Sequence, residues 1–116
     1  MQAETLEMQE KIRKLAVKII KHYRGKGPDN VKVKVENELI TIHIKGILSN
    51  LSEILVKEGA AEKVVDYWSV MKPYLEKEFL DEAVEVIGCK FDYSWEICDF
   101  EKENRTITIL IKKLVT

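Results

Sequence analysis

The chain has 116 residues, of which 46% are hydrophobic and 34% charged, a balance that is typical of globular rather than disordered proteins. Its 19 Lys and Arg residues against 20 Asp and Glu residues give a net charge of −1, without the basic excess of a dedicated nucleic-acid binder. No apolar run reaches the roughly 18 residues of a membrane-spanning helix. We therefore expect one cytoplasmic domain over residues 1–116 that does not insert into a membrane.

An amphipathic helix is predicted from about residue 3 to residue 24. Its apolar residues recur at spacings of three and four, the period of a helix with one buried face. They are Leu6, Met8, Ile12, Leu15, Ala16, Ile19, Ile20 and Tyr23. Gly25 suits the left-handed position after a last helical turn, and Pro28 prevents the helix from restarting.

Two strands are predicted next, at residues 31–36 and 39–46. Apolar and polar residues alternate in both, which leaves one sheet face apolar and the other polar. A two-residue turn at Asn37-Glu38 would place three apolar pairs opposite each other: Val35 with Ile40, Val33 with Ile42, and Val31 with Ile44. Asn37 tolerates the positive φ of such a turn better than Glu38, so a bulged turn is the alternative.

A short helix is predicted after the hairpin, ending near Glu58 and breaking at Gly59. Two residues compete to cap its start. Asn50 can form a capping box with Glu53, and Ser49 can cap the helix instead.

A longer helix follows and ends at Gly88. Its apolar residues are spaced by three or four: Val64, Trp68, Met71, Leu75, Phe79, Ala83 and Val86. Pro73 lies inside this stripe and is expected to kink the helix or to start a new segment near Lys72, although the stripe stays in phase.

The last third predicts a second hairpin, with strands at residues 89–98 and 105–114. Pairing Trp95 with Ile109 also pairs Ile97 with Ile107 and places Asp99 opposite Arg105, with a loop over residues 100–104. The element order is α-β-β-α-β-β, and we predict an α+β two-layer sandwich in which one four-stranded antiparallel sheet carries the helices on its apolar face. The other face would expose Lys32, Lys34, Thr41, His43, Lys45, Asp92, Ser94, Glu96, Thr106 and Thr108.

One short string carries a family resemblance. The sequence Gly25-Lys26-Gly27-Pro28-Asp29-Asn30-Val31 resembles the Gly-Arg/Lys-Gly-Pro-x-x-Val signature of the MpsC-like family, which is named for a component of a sodium-translocating, membrane-potential-generating system. Gly46-Ile47-Leu48-Ser49 also fits. The chain departs from the family pattern at Ser52, where an acidic residue is usual, and at Tyr67-Trp68-Ser69, which lacks an Arg. The resemblance implies an accessory role in ion transport rather than a pore, and it supplies no catalytic residues.

The same turn is the first candidate binding site. Gly25 and Gly27 could let backbone amides converge on an anion, with Lys26 adding charge. A helix stop followed by a tight turn is the favoured interpretation, because no helix N-terminus follows in sequence to receive a phosphate.

The polar sheet face is the second candidate site. His43 and Lys45 lie there with Lys32 and Lys34, and acidic residues of the third strand lie across the face, so a titrating cluster is conceivable. An exposed histidine with solvated neighbours is the favoured interpretation. His22, at the end of the first helix, is placed to interact with the helix dipole.

The remaining reactive and aromatic residues predict structure rather than chemistry. Cys89 is expected to point with the apolar side of the third strand and Cys98 to the opposite side, so a shared thiol site is disfavoured. Trp68 and Trp95 are expected in the core or an interface. We predict no catalytic residues, no cofactor and no metal site.

The functional prediction is an accessory or interaction protein that resembles the MpsC-like partner of a membrane ion-transport system. The alternative is a small-ligand or anion-binding enzyme centred on Lys26 and His43. RNA binding through Lys32, Lys34 and Lys45 ranks last, because the charge is balanced.

Self-association is also predicted. The long helix carries a second apolar set, formed by Val65, Val70, Leu80, Val84 and Ile87, which its own sheet cannot fully cover. We expect a homodimer with helix-on-helix contact through this set, and pairing along an edge strand is the second choice.

Overall fold

The computed structural model describes residues 2–98 and 105–114. The predicted element order is confirmed, with a short helix preceding the long one. The elements are α1 (Gln2–Arg24), β1 (Asn30–Glu36), β2 (Leu39–Lys45), α2 (Asn50–Lys57), α3 (Ala61–Ile87), β3 (Phe91–Cys98) and β4 (Thr106–Lys113).

The strands form one antiparallel sheet in the order β1-β2-β4-β3, so β1 and β3 are its edges. The predicted register of the first hairpin is confirmed, with Val33 opposite Ile42 across a two-residue turn. Asn37 takes the positive φ of that turn, 52°. The register of the second hairpin, Trp95 opposite Ile109, is also confirmed. The predicted loop at residues 100–104 and the partner at Asp99 lie outside the described residues.

The core lies between the apolar sheet face and the helices. Isoleucines of β2 and β4 alternate with more exposed residues and are fully buried: Ile40, Ile42, Ile44, Ile107, Ile109 and Ile111. Facing residues of α1 and α3 close the layer, among them Ile12, Ile19, Ile20, Trp68, Leu75 and Phe79. This burial confirms the predicted α+β two-layer sandwich, because alternation in the strands and helical spacing meet at one interface.

Of the two candidate caps of α2, the structure has Ser49: its backbone is extended, and its hydroxyl accepts the amide of Ser52 at 3.1 Å. Asn50 is then the first residue of the helix rather than its cap, and the Glu53 carboxylate lies 3.1 Å from Nε of Arg105. Of the two outcomes predicted for Pro73, a new segment near Lys72 is not found, since α3 runs unbroken through the proline, which lies on the exposed side.

The start of β3 also differs from the prediction. The strand begins at Phe91, two residues later than expected, so Cys89 is an exposed residue of the α3–β3 connection rather than part of the apolar strand face. Gly88 ends α3 as predicted, with a φ of 78°. The side chain of Cys98 lies outside the described part of the chain.

Candidate functional site

The Gly-Lys-Gly-Pro turn is built around a buried arginine. The Arg24 side chain is only 5% exposed. Its Nε donates to the carbonyl oxygen of Leu48 at 2.6 Å, and its Nη1 donates to that of Gly27 at 2.8 Å. Nη1 also lies 3.5 Å from Oδ1 of Asp29. One guanidinium therefore ties the end of α1 to the turn and to the segment that precedes α2.

Gly46 completes this connection. It has a φ of 75°, and a Cβ added there would lie 2.3 Å from Cγ of Asp29. The Asp29 amide also donates to the carbonyl oxygen of Lys45 at 2.9 Å. Only glycine allows both this backbone conformation and this close approach. The two strings that carried the resemblance, residues 25–31 and 46–49, thus contact each other; we call residues 24–29 with 46–50 the motif corner.

Lys26 is the exposed cation of the motif corner. Its Nζ lies 3.1 Å from Oδ1 of Asn50, at the start of α2. The fold therefore brings a helix N-terminus beside Lys26, although none follows it directly in sequence. Ser49 already accepts an amide of that first turn, and Glu53 adds negative charge there. These contacts favour a structural role for the turn, as the sequence interpretation preferred.

The family departure at Ser52 has a structural counterpart. Ser52 is buried in the first turn of α2, and its hydroxyl lies 3.2 Å from that of Ser49. The acidic residue one position later, Glu53, pairs with Arg105 at the start of β4. Arg105 also accepts the Gly46 amide through its carbonyl oxygen at 3.2 Å. The motif corner is therefore linked to α2 and to β4.

His43 and Lys45 lie on the open polar face, as predicted. His43 is exposed, faces Lys32 across the β1–β2 ladder, and has Nδ1 3.3 Å from Oγ1 of Thr108. Lys26 contacts Asn50 of α2 whereas His43 contacts Thr108 of β4, so the contacts of these two candidate residues lie on different elements.

Charge on the open face divides between its two edges. Lys32 and Lys34 lie on β1, with Lys34 Nζ 3.0 Å from the Glu36 carboxylate. Asp92 and Glu96 occupy the same face of β3. The face is therefore mixed in sign rather than uniformly basic.

A groove of about 920 Å³ follows β1 beneath α1. Most of its lining is polar or charged: Leu6, Gln9, Glu10, Arg13, Val31, Lys32, Val33, Lys34, Glu36, Thr41 and His43. The hydrogen bond from Arg13 lowers the pKa of the Glu10 carboxyl. The Gln9 side-chain oxygen accepts the Val35 amide at 3.2 Å, so α1 partly satisfies this sheet edge.

The aromatic residues confirm the core prediction. Trp68 and Trp95 are buried, and Phe79 packs edge-on against Trp95 with ring centroids 5.8 Å apart. Nearer the surface, burial and the Glu78 carboxylate raise the pKa of Tyr23. Within the described ranges, no cluster of three or more His, Cys, Asp or Glu residues is placed to hold a metal ion.

One exposed stripe on α3 was not predicted from the sequence. Tyr67, Val70 and Tyr74 are 53%, 71% and 69% exposed, and their spacing places them on one side of the helix. We call this stripe the α3 outer face. The tyrosines were not singled out because the apolar periodicity of α3 places them on its polar side. Aromatic side chains that are exposed next to one another are nevertheless typical of protein-binding surfaces.

The predicted second apolar set of α3 divides in the structure. Val65, Val70 and Val84 are exposed and Leu80 is half-buried. Ile87 is buried in the core, so it belongs to the part of the set that the domain itself covers.

The fold and the motif corner together define a two-layer α+β protein in which residues 24–29 and 46–50 connect the first helix, the first hairpin and α2. Its sequence matches a family described as Na+-translocating membrane potential-generating system (MpsC) over residues 4–113, and the chain belongs to that family. No curated protein and no solved structure matched it. None of the helices within residues 2–98 and 105–114 has the length and apolar character needed to cross a membrane.

Proposed function

We propose that the protein is a cytoplasmic accessory component of a Na+-translocating, membrane-potential-generating system and that it acts by binding a protein subunit of that system. The observation that carries the proposal is the family match over residues 4–113, nearly the whole chain. In this proposal the motif corner stabilises the fold, and a different part of the surface contacts the partner.

The α3 outer face is the surface that best supports this role. Tyr67 and Tyr74 offer large apolar area with hydroxyl groups that remain hydrated, and Val70 lies between them. Pro73 lacks an amide hydrogen, so the Ser69 carbonyl loses its usual helical donor and can accept from a partner. An apolar centre with such polar groups around it resembles the contact surfaces of non-obligate complexes.

A capture experiment tests the partner. The tagged chain is cross-linked in its own cells, purified from the membrane fraction and compared with a Val70→Glu, Tyr74→Glu variant. Leu6→Glu is the control, since Leu6 is an apolar residue on α1 that is also largely exposed, at 61%. We expect subunits of a Na+-transport system to be captured by the unmodified chain and by the control, and to be lost from the double variant.

A functional measurement tests the role. Na+-dependent membrane potential is recorded with a voltage-sensitive dye in cells lacking the gene. We expect a lower potential that the unmodified chain and Leu6→Glu restore and the double variant does not. An unchanged Na+-dependent potential in the deletion strain, with no Na+-transport subunit among the captured proteins, would refute the proposal.

A further inference from the structure

The outer edge of β3 presents backbone groups that the sheet does not use. The Leu114 amide donates to the Lys90 carbonyl oxygen at 2.9 Å, which fixes the alternation of the β3–β4 ladder. In an antiparallel ladder every second residue faces the neighbouring strand. Ser94 therefore points its amide to β4, whereas Tyr93 and Trp95 point theirs away from the sheet.

A second groove, of about 730 Å³, lies between this edge and α3. Its lining is mainly apolar: Leu80, Val84, Phe91, Tyr93 and Leu114, with Glu85, Gly88, Cys89 and Lys90. Val84 is 52% exposed and Tyr93 46% exposed. Among the described residues, β3 is an edge strand whose outward backbone groups lie beside exposed apolar side chains, and another chain can pair on such a surface.

The charges of β3 favour a second copy of the same strand as its partner. In a two-fold antiparallel pairing centred on Tyr93, Lys90 lies opposite Glu96 of the partner copy, and this contact occurs twice. Asp92 then lies opposite a serine. A centre at Asp92 or at Ser94 would place acidic side chains opposite each other, and like charges directly opposite are destabilising. Because the Tyr93 amide points outward, this centre makes Tyr93 and its copy a hydrogen-bonded pair.

We propose that the protein forms a two-fold dimer in which β3 pairs with β3 of a second copy about Tyr93, with Leu80 and Val84 of α3 packed at the same interface. The two sheets then continue as one. Helix contact and edge pairing, which the sequence offered as alternatives, lie on one continuous surface in this arrangement. A closed two-fold contact uses the same patch on both copies, so assembly stops at the dimer.

Disulfide cross-linking tests the register. In a Cys89→Ser, Cys98→Ser background, Tyr93→Cys places two cysteines directly opposite, at a Cα separation of about 5.5 Å that a disulfide can span. We expect oxidation to give a covalent dimer. Glu96→Cys is the matched control, because its two copies would be about 20 Å apart along the strands. A Tyr93→Cys chain that stays monomeric, or a Glu96→Cys chain that cross-links as well, would overturn the proposed register.

Sedimentation equilibrium of the purified chain at micromolar concentration tests the dimer without any membrane partner. We expect twice 13.5 kDa for the unmodified protein and for Val70→Glu, and 13.5 kDa for Val84→Glu. Val70 lies on the α3 outer face, whereas Val84 lies in the groove beside β3. Comparing Val70→Glu with Val84→Glu therefore separates binding of the transport-system subunit from self-association. A monomeric unmodified protein, or a Val84→Glu variant that remains dimeric, contradicts the proposal; should Val84→Glu unfold by circular dichroism, the cross-linking result decides.

Discussion

The two edge strands of the sheet, β1 and β3, lie beside different surroundings. Along β1, the α1 helix supplies Gln9 to accept the Val35 amide, and Lys32 and Lys34 add charge. Along β3, the neighbouring surface is an apolar groove with Tyr93 and Val84 exposed. Lysines and polar coverage discourage strand pairing, whereas an apolar open edge invites it. The helix beside each edge strand thus leaves a different surface at that edge, and the proposed dimer uses the apolar one.

The two edge strands also differ in one contact that each makes with its helix. At β1 the Gln9 side chain of α1 accepts a backbone amide in a part-buried hydrogen bond. At β3 the contact is the packing of Phe79 against Trp95 inside the core. Substitution of Phe79 should therefore cost more stability than substitution of Gln9.

Phe79→Ala should have the largest effect. Phe79 is fully buried, and removing its ring leaves a cavity against Trp95, so we expect a loss of about 3–5 kcal/mol in the free energy of unfolding. Urea denaturation followed by tryptophan fluorescence measures it. Tyr74→Ala on the exposed side of the same helix should change stability by no more than about 0.5 kcal/mol. Equal losses for the two variants would contradict the packing described for α3.

Arg24→Ala should have the next largest effect, because the buried Arg24 side chain donates to two backbone carbonyl oxygens. The substitution leaves the part-buried carbonyl oxygens of Leu48 and Gly27 without their donor, and we expect a loss of about 2–3 kcal/mol in the free energy of unfolding. The exposed Arg13, paired with Glu10 on the same helix, is the control, and Arg13→Ala should cost less than about 1 kcal/mol. A thermal unfolding series that ranks Arg13 above Arg24 would contradict the assigned role.

The strand registers could be predicted from sequence because they depend on local alternation. Once Asn37-Glu38 is taken as the turn, only one pairing puts every valine opposite an isoleucine. The apolar spacing in α3 likewise predicted Trp68 and Phe79 in the core. Each of these predictions depends only on residues that are close to one another in the sequence.

The contacts of the motif corner could not be predicted in this way. Arg24 binds the carbonyl of Leu48, 24 residues away, and no periodic pattern reports such a pair. For the same reason the sequence could not decide between Asn50 and Ser49 as the cap of α2. Asn50 and Glu53 have a correct capping-box spacing, but in the structure Asn50 contacts Lys26 and Glu53 contacts Arg105, two residues from distant parts of the chain.

Two proline substitutions on β3, compared with each other, test the exposed edge of the sheet. Ser94→Pro removes an amide that points to β4, and we expect a loss of about 1–3 kcal/mol in chemical denaturation, from the broken ladder bond and its orphaned carbonyl. Tyr93→Pro removes an amide that points away from the sheet, so the monomer should lose less stability while the dimer dissociates. If Tyr93→Pro cost as much as Ser94→Pro, the assignment of outward and inward amides on β3 would be wrong.

The substitution with the smallest expected effect is on α1 and tests how the helix covers the β1 edge. Gln9→Ala removes the oxygen that accepts the Val35 amide, and since a typical hydrogen bond contributes about 0.5–1.5 kcal/mol, we expect a loss within that range. Amide hydrogen exchange gives a sharper measurement, because the Val35 amide should exchange faster in Gln9→Ala while those of the central strand β2 are unchanged. Gln9→Glu keeps an acceptor oxygen at the same reach and should keep the Val35 amide protected. If Gln9→Ala left the exchange of the Val35 amide unchanged, α1 would not protect the β1 edge. The difference between the β1 and β3 edges would then depend on the lysines alone.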